Sequence, residues 1–335
     1  GVRVGDSLPP VRFGRIRCMF SSAQLRRPID FAVHGAKLDF VFPIDSLSKS
    51  IKVRRLAWIP DLQHREIPEF SSENELDARE RWINSMMNDA PGIVFSSQAS
   101  RSDFVRHYPK APNALHVLPF RINMAESVLV AEPRSVANSY NLPERFILVS
   151  NQFWMHKNHM TLFEAIRLAK QRCPDLVVVM TGALNDYRNS SYFDECLQRI
   201  HKNGIDSNVR ILGLIPKHDQ LQLLRACVAV VQPSRFEGWS TIVEEARFLG
   251  KHLIVSDLPV HREQNVALAD YFAPLNSNAL ADLIINTWES RRDRTLSAEV
   301  ERQTGLRYDE LFLEFGRAFL KLARDAGTIE GKSHR

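Results

Sequence analysis

The sequence predicts an α/β protein of two domains, each built on a parallel sheet. Short apolar runs of strand length alternate with helical runs along most of the chain, the rhythm of strand–crossover–strand units. At 335 residues the chain suits two domains of ordinary size better than one. Residues 126–144, with Pro133 and Pro143, lose periodicity between the two alternations and read as a linker. The expected organisation is a first domain over 1–125, the linker, a second domain over 145–306, and a closing helix over 307–325 that returns to the first domain.

In the first domain, residues 1–50 carry Arg12, Arg15, Arg17, Arg26 and Arg27, with strand-length apolar runs at Phe31–Val33 and Leu38–Phe42. Val53–Ile59 reads as a strand. Pro60 and Pro68 argue against a helix across the loop that follows it. Ser71–Asn88 is a charged helix, with Ser72 and Glu75 at capping-box spacing. Ile93–Ser97 reads as a strand, Gln98–Tyr108 as a helix and Leu115–Phe120 as a strand. In the second domain the strands are Phe146–Ser150, Leu176–Met180, Val209–Gly213, Cys227–Val231 and His252–Val255. Helices are expected at Met160–Gln171, Asp194–Asn203, Gln220–Arg225 and Thr241–Leu249, and at 278–291 with Asn278 as cap. The last helix, from Arg307, carries Leu311, Phe312, Phe315, Phe319 and Leu320 on one side.

Composition narrows the class. Hydrophobic residues make up 44% and charged residues 25%, so the chain is neither disordered nor membrane-spanning; no apolar run approaches ~20 residues. Cys18, Cys173, Cys196 and Cys227 show no C-x-x-C spacing, which speaks against a zinc site or a disulfide framework and for a reducing cytoplasm. The net charge of +5 is compatible with phosphorylated small molecules and with an anionic membrane surface, where the protein would sit peripherally on the inner face. No nucleic-acid module is present, and nucleic acid is not an expected partner. The chain starts at Gly1, and the first domain is expected to be truncated at its N-terminus.

The chemistry concentrates in loops that follow strands, where open α/β sheets bind ligands. Pro233–Glu245 reads as the end of a strand, a polar turn and a helix start. Glu237 and Gly238 lie in the turn, and Glu245 follows on the helix. Backbone N–H groups at Trp239, Ser240 and Thr241 would meet an anion at the helix N-terminus. A carboxylate accepts two hydroxyl hydrogen bonds, which suits a diol. In the loop after Phe146–Ser150, Asn151, Gln152 and Lys157 lead into a helix, and Lys157 suits a phosphate. His156 and His159 are spaced by three but have no third ligand nearby, so no metal is expected. Neither G-x-x-x-x-G-K-[ST] nor G-x-G-x-x-G occurs. In the first domain Asp61, Gln63 and His64 crowd into four positions. One carboxylate for a ribose, one for a sugar, and a lysine between them would clamp a nucleotide sugar.

Pro233–Ala246, with Glu237 and Glu245, resembles the E-x7-E signature of retaining glycosyltransferases, in particular family 4 (group 1). Ser256–Glu263 resembles the strand and loop that follow it there. Phe146–Leu162, with Lys157 and Asn158, is similar to the family's first nucleotide-domain strand and loop. Trp58–His64 with Pro68–Phe70 is similar to a first-domain motif of members that build bacterial surface polysaccharides. The resemblance implies the GT-B fold, two Rossmann-like domains facing a cleft, with the acceptor on the side of the first. It implies transfer of a hexose from a nucleotide sugar, GDP-mannose or another nucleoside diphosphate hexose, to a glycan or lipid-linked acceptor. No metal or other cofactor is implied, because cations and backbone N–H groups stabilise the leaving diphosphate.

The residues implied are Glu237, Lys157 and His64 for catalysis. Donor binding falls to Glu245, Gln152, Gly238, Trp239, Ser240, Thr241, Asn151 and Leu214, and Asp61 and Gln63 stand on the acceptor side. One departure is that many members carry Gly-Arg where this chain has Asn151-Gln152. Arg235, His156 and Arg262 are the expected replacements for that cation. The rival readings are an epimerase or phosphorylase on a similar fold, and a nucleotide-sugar-binding homologue without turnover.

Overall fold

The computed structural model describes residues 40–44, 54–264, 266, 268–290 and 298–329. The arginines of the first segment and the Phe31–Val33 run lie outside them. The first sheet has four parallel strands in the order β1-β2-β3-β4: β1 Phe40–Ile44, β2 Arg54–Ile59, β3 Gly92–Phe95 and β4 Ala114–Val117. Helix α2, Glu73–Asp89, begins with the expected reciprocal capping box between Ser72 and Glu75. Between Pro60 and Pro68 a single helical turn, α1 Gln63–Glu66, fits where none was expected. It is short enough to start after one proline and stop before the other. Helix α3, Gln98–His107, is capped by the Ser97 hydroxyl.

Residues 126–144 contain two short helices, α4 Glu126–Val130 and α5 Pro133–Ser139, where the sequence suggested irregular chain. Pro133 is tolerated at the first helical position, which has no intrahelical N–H bond to lose. Val128, Ala137 and Leu142 are buried in the core of the second domain. This segment therefore packs with that domain.

The second sheet is also parallel. Its strands are β5 Ile147–Ser150, β6 Val178–Thr181, β7 Val209–Gly213, β8 Ala229–Gln232, β9 Leu253–Ser256 and β10 Ala269–Phe272, in the order β10-β9-β8-β5-β6-β7. Counted within the domain, that is the doubly wound order third-second-first-fourth-fifth-sixth. β6, β8 and β9 are buried throughout, as strands covered on both faces must be. The helices are α6 His159–Ala169, α7 Tyr192–Lys202, α8 Lys217–Ala226, α9 Thr241–Phe248, α10 Pro259–Gln264 and α11 Ser277–Glu289. The cap of α11 is Asn276, not Asn278. β10 and α10 had no clear sequence signal, since their apolar residues are few and interrupted.

Helix α12, Ala298–Ile329, ties the two sheets together. Tyr308 is buried in the second-domain core, while Leu322 and Ala326 pack with Leu56 and Val94 of the first sheet. Phe319 lies against Phe40 and Phe42. The helix thus returns to the first domain, where Phe315 and Phe319 pack on the sheet, whereas Phe312 and Leu320, expected on the same side, are exposed. A second tie is polar. The Glu263 carboxylate accepts from the backbone N–H groups of Gln98 (2.8 Å) and Ala99 (3.2 Å), so a second-domain side chain caps a first-domain helix. We expect Glu263→Ala to lower stability by about 1 kcal/mol in urea denaturation, the usual cost of losing a cap. A wild-type midpoint would show that the contact contributes nothing in solution.

Candidate functional site

Strand order reverses between β5 and β8, so the loops after these two strands open a crevice at the carboxyl edge of the sheet. The structure joins those loops. Asn158 adopts a left-handed backbone (φ 62°), and its Nδ2 donates to the carbonyls of Pro233 (2.9 Å) and Pro274 (2.7 Å). The Arg235 N–H donates to the His156 carbonyl at 2.8 Å. Asparagine tolerates this conformation better than most residues, so it can turn the chain and brace the loops together. With the loops braced, Lys157 Nζ lies 2.7 Å from Glu237 Oε1, and neither side chain is more than 11% exposed.

The Gln232 amide and the Ser234 hydroxyl also donate to Glu237 Oε1, each at 2.7 Å. Burial pushes the Glu237 carboxyl up, but the Lys157 ammonium outweighs it and holds it down at about 2. His156 is pushed down to about 3, first by burial and then by Lys157, and it accepts a hydrogen bond from Arg188 Nη2 at Nδ1 (3.3 Å). It is therefore neutral at pH 7, and Lys157 is the cation that keeps Glu237 charged.

Glu245 enters the same crevice from α9. Lys217 Nζ pairs with Glu245 Oε1, Gln220 Nε2 donates to Oε2 (3.1 Å), and Lys217 also donates to Gln220 Oε1 (2.7 Å). Its neighbour Glu244 points away from the crevice. It accepts from the Tyr308 hydroxyl (2.7 Å) and from Arg121 Nη1 (3.2 Å), where the chain crosses between domains. Adjacent positions on a helix are about 100° apart, so Glu-Glu yields one carboxylate for the crevice and one for the domain joint.

The crevice holds a cavity of about 570 Å³. Of the residues expected to bind a donor, Asn151, Gln152, Leu214, Trp239, Ser240, Thr241 and Glu245 line it, together with Lys157 and Glu237. Buried polar atoms without a hydrogen-bond partner among the described residues, Asn151 Nδ2 and Trp239 Nε1, belong to its walls. At the N-terminus of α9 the Ser240 side chain makes no capping hydrogen bond.

Two expected residues are placed elsewhere. Gly238 packs at the joint between domains: a Cβ there would lie 2.4 Å from the Pro60 carbonyl oxygen and 2.7 Å from the Asp61 Cβ. His64, with Asp61 and Gln63, lines a second cavity and not the one holding Glu237. The expected replacements for the missing arginine are also engaged elsewhere. Arg235 pairs with Glu69 (2.8 Å), Arg262 pairs with Asp257 (2.7 Å), and His156 is neutral.

The family model described as glycosyl transferases group 1 matches residues 134–302, just over half of the chain. The chain belongs to the group 1 glycosyl transferases. Comparison with curated proteins by sequence returned no match. Solved structures with the same fold include a glycosyltransferase from Rickettsia africae (TM-score 0.65, 17% identity, covering 94% of this chain and 85% of that one). HepE from Anabaena, solved in complex with UDP and glucose, superposes with a TM-score of 0.64 at 19% identity, covering 81% of this chain and 71% of that one. Sucrose-phosphate synthase from Thermosynechococcus elongatus does so with a TM-score of 0.64 at 17% identity, covering 82% and 69%. The fold is accordingly that of two Rossmann-like domains facing a cleft.

In this glycosyltransferase the sequence reading missed Lys217, Gln220, Gln232 and Trp154, all on the cavity wall. Lys217 and Gln220, three apart at the start of a helix that follows a strand, were the one legible signal. Among the described residues no group of three or more His, Cys, Asp or Glu side chains could hold a metal, and no helix is long and apolar enough to cross a membrane.

Proposed function

We propose that this glycosyltransferase moves a hexose from a nucleoside diphosphate sugar to a glycan or lipid-linked acceptor, with retention of anomeric configuration. The observation that carries the reading is the pair of lysine–glutamate couples, Lys157–Glu237 and Lys217–Glu245, on one cavity at the switch point of the sheet. In this reading Glu245 accepts from the ribose hydroxyls, and the start of α9 faces the diphosphate. Lys157 exchanges Glu237 for a phosphate oxygen, which frees Glu237 to accept from a sugar hydroxyl. The C1–O bond to the β-phosphate breaks, and a phosphate oxygen takes the proton of the acceptor hydroxyl. The new C1–O bond then forms on the face the diphosphate leaves. No metal or other cofactor takes part in this scheme; Lys157 and backbone N–H groups meet the charge on the leaving diphosphate.

The donors considered are GDP-mannose and other nucleoside diphosphate hexoses. The complexes of HepE with UDP and with UDP-glucose, and the UDP-forming trehalose-phosphate synthase of Burkholderia xenovorans, favour a uridine donor. Surface polysaccharide assembly, in the cytoplasm or peripherally at the inner face of an anionic membrane, is the proposed setting.

Calorimetry with UDP and GDP tests the reading. One of them binds the wild type, and Glu245→Ala weakens that binding about 10- to 100-fold, as expected for losing about 1.5–3 kcal/mol of charge-assisted hydrogen bonding. If neither binds, ADP, CDP and dTDP are titrated in turn, and a wild-type chain that binds no nucleoside diphosphate shows the proposed function to be wrong.

A further inference from the structure

The described chain passes between the two domains at two crossings. At the first, Leu118 packs with Leu56 and Val94 of the first domain, and Met124, a few residues on, is buried in the core of the second. Helix α12 is the return, with Tyr308 in the second-domain core and Leu322 against the first sheet. Both crossings meet at Glu244 on α9, which is fully buried. Its carboxylate accepts from the Tyr308 hydroxyl at 2.7 Å and from Arg121 Nη1 at 3.3 and 3.2 Å. The Tyr308 hydroxyl in turn accepts from the Ile122 N–H at 2.9 Å. Gln264 Nε2 donates to Glu244 Oε1 (3.1 Å) and to the Ser240 carbonyl (3.0 Å), beside the start of α9. Arg247, on α9 itself, lies 3.9 Å from Glu244 Oε1 and donates to the Gln264 carbonyl at 2.8 Å.

The first crossing also holds a wall of the cavity with Glu237 and Glu245. Phe120 meets Trp239 edge-on, with ring centres 6.1 Å apart, and the Arg121 guanidinium lies 5.5 Å from the Trp239 ring centre. Trp239 lines that cavity, and Gly238 beside it meets Pro60 at the joint between domains. Stability alone does not account for a carboxylate at position 244. Desolvation largely cancels the attraction within a buried ion pair, and apolar side chains of similar size at such sites leave proteins as stable or more so. What an apolar side chain lacks is direction. A carboxylate hydrogen-bonded to Arg121 and Tyr308 fixes both crossings at one orientation to α9.

We propose that Glu244 is a positioning residue for transfer: it pins both crossings to the helix that carries Glu245, and so sets how the first domain faces the donor cavity. This role rests on the glycosyl-transfer reading above and gives a part in the reaction to a side chain that touches no substrate.

Pulsed electron paramagnetic resonance on the full chain tests it. Spin labels go on Asp77→Cys in α2 and Gln198→Cys in α7, both exposed, in a Cys18→Ser background. Cys173, Cys196 and Cys227 are buried. The wild type gives one narrow distance distribution, and Glu244→Gln and Tyr308→Phe each broaden it. The combined Arg121→Met, Glu244→Leu, Tyr308→Phe variant replaces the clamp by apolar side chains. Urea denaturation finds it as stable as the wild type, yet its distances broaden too. Arg247→Met, which removes the partner on α9 itself, keeps the wild-type distribution.

Calorimetry on the same samples finds nucleoside diphosphate affinity changed by only a few-fold, because Glu245 and Lys157 are untouched. A wild-type distribution in the combined variant, or equal broadening in Arg247→Met, overturns the proposal. If the combined variant does not fold, Tyr308→Phe decides, and a wild-type distribution there overturns it. A loss of affinity as large as that of Glu245→Ala would place Glu244 in the donor site and overturn a positioning role. If the wild type binds no nucleoside diphosphate, the transfer reading fails, and the distances alone decide whether Glu244 sets the orientation.

Discussion

Lys157→Ala is expected to lose both nucleotide affinity and stability, with a pH dependence that identifies the cause. In the wild type Glu237 is charged because Lys157 lies 2.7 Å away. Its carboxyl is held at about 2, below the ordinary value of 4.5. A depressed carboxylate contributes stability that is present above its unfolded pKa and lost as pH falls through its folded one, here between about 4.5 and about 2. Without Lys157 the carboxylate remains buried with only Gln232 and Ser234 donating to it, and its pKa rises. The expected penalty at pH 7 is about 3 kcal/mol, the low end for truncating one partner of a buried ion pair, because two donors remain. That penalty shrinks as the buffer is taken below pH 4.5, where the variant's Glu237 protonates at less cost.

Urea denaturation at pH 7 and pH 4 measures this difference, and calorimetry with the preferred nucleoside diphosphate adds a loss of about 10- to 100-fold in affinity. Glu237→Gln on the Lys157→Ala background should recover much of the stability and none of the affinity. A variant with wild-type stability and wild-type affinity would remove Lys157 from the site.

Gly238→Ala is expected to abolish transfer while leaving each domain folded. The added methyl would stand 2.4 Å from the Pro60 carbonyl oxygen and 2.7 Å from the Asp61 Cβ, far inside contact distance, and the first obstacle is backbone that cannot rotate aside. The joint is tight around this point, with Ser100 Oγ donating to the carbonyls of both Pro60 (3.3 Å) and Gly238 (3.5 Å). The least costly response is for the first-domain loop to move off the second-domain turn. That displaces the wall carrying Asp61, Gln63 and His64 from the cavity beside it. A misplacement of about 1 Å costs on the order of 100-fold in rate where reacting groups must align. Transfer activity should fall at least that far, and the radius of gyration by small-angle scattering should rise. Nucleotide affinity should change by only a few-fold, because the donor cavity belongs to the second domain. Full activity at an unchanged radius would mean that the two domains do not meet at Gly238 in solution.

How much of this was legible in the sequence depended on the range of the interaction. Strands such as β5, β6 and β8 announce themselves as short buried apolar runs, and the cap of α2 as Ser72 and Glu75 three apart, because both signals are local. β10 and α10 carry few apolar residues and owe their existence to the edge and face they complete. The same division runs through the site. Glu237, Glu245 and Lys157 could be read from strand–turn–helix placement. Lys217 and Gln220 became partners of Glu245 only once the fold brought α8 and α9 to the same crevice. Arg235 and Arg262, expected to stand in for a missing arginine, are drawn away to Glu69 and Asp257, pairings that spacing does not encode for Arg235, 166 positions from its partner.

By itself the sequence determined that two α/β units exist, that the second carries a strand-ending turn with two glutamates, and that a lysine loop starts another helix of the same unit. Those are consequences of periodicity and turn chemistry, which act over a few residues. The tertiary structure gave Glu244, beside the expected Glu245, its place at the domain joint with Tyr308 and Arg121. It put Gly238, expected to contact the donor, at a joint between domains, and it placed His64, expected to be catalytic, on the cavity beside the one that holds Glu237. Each of these depends on how two sheets and one long helix sit against one another, and that is settled by packing between elements distant in the chain, beyond the reach of any local pattern.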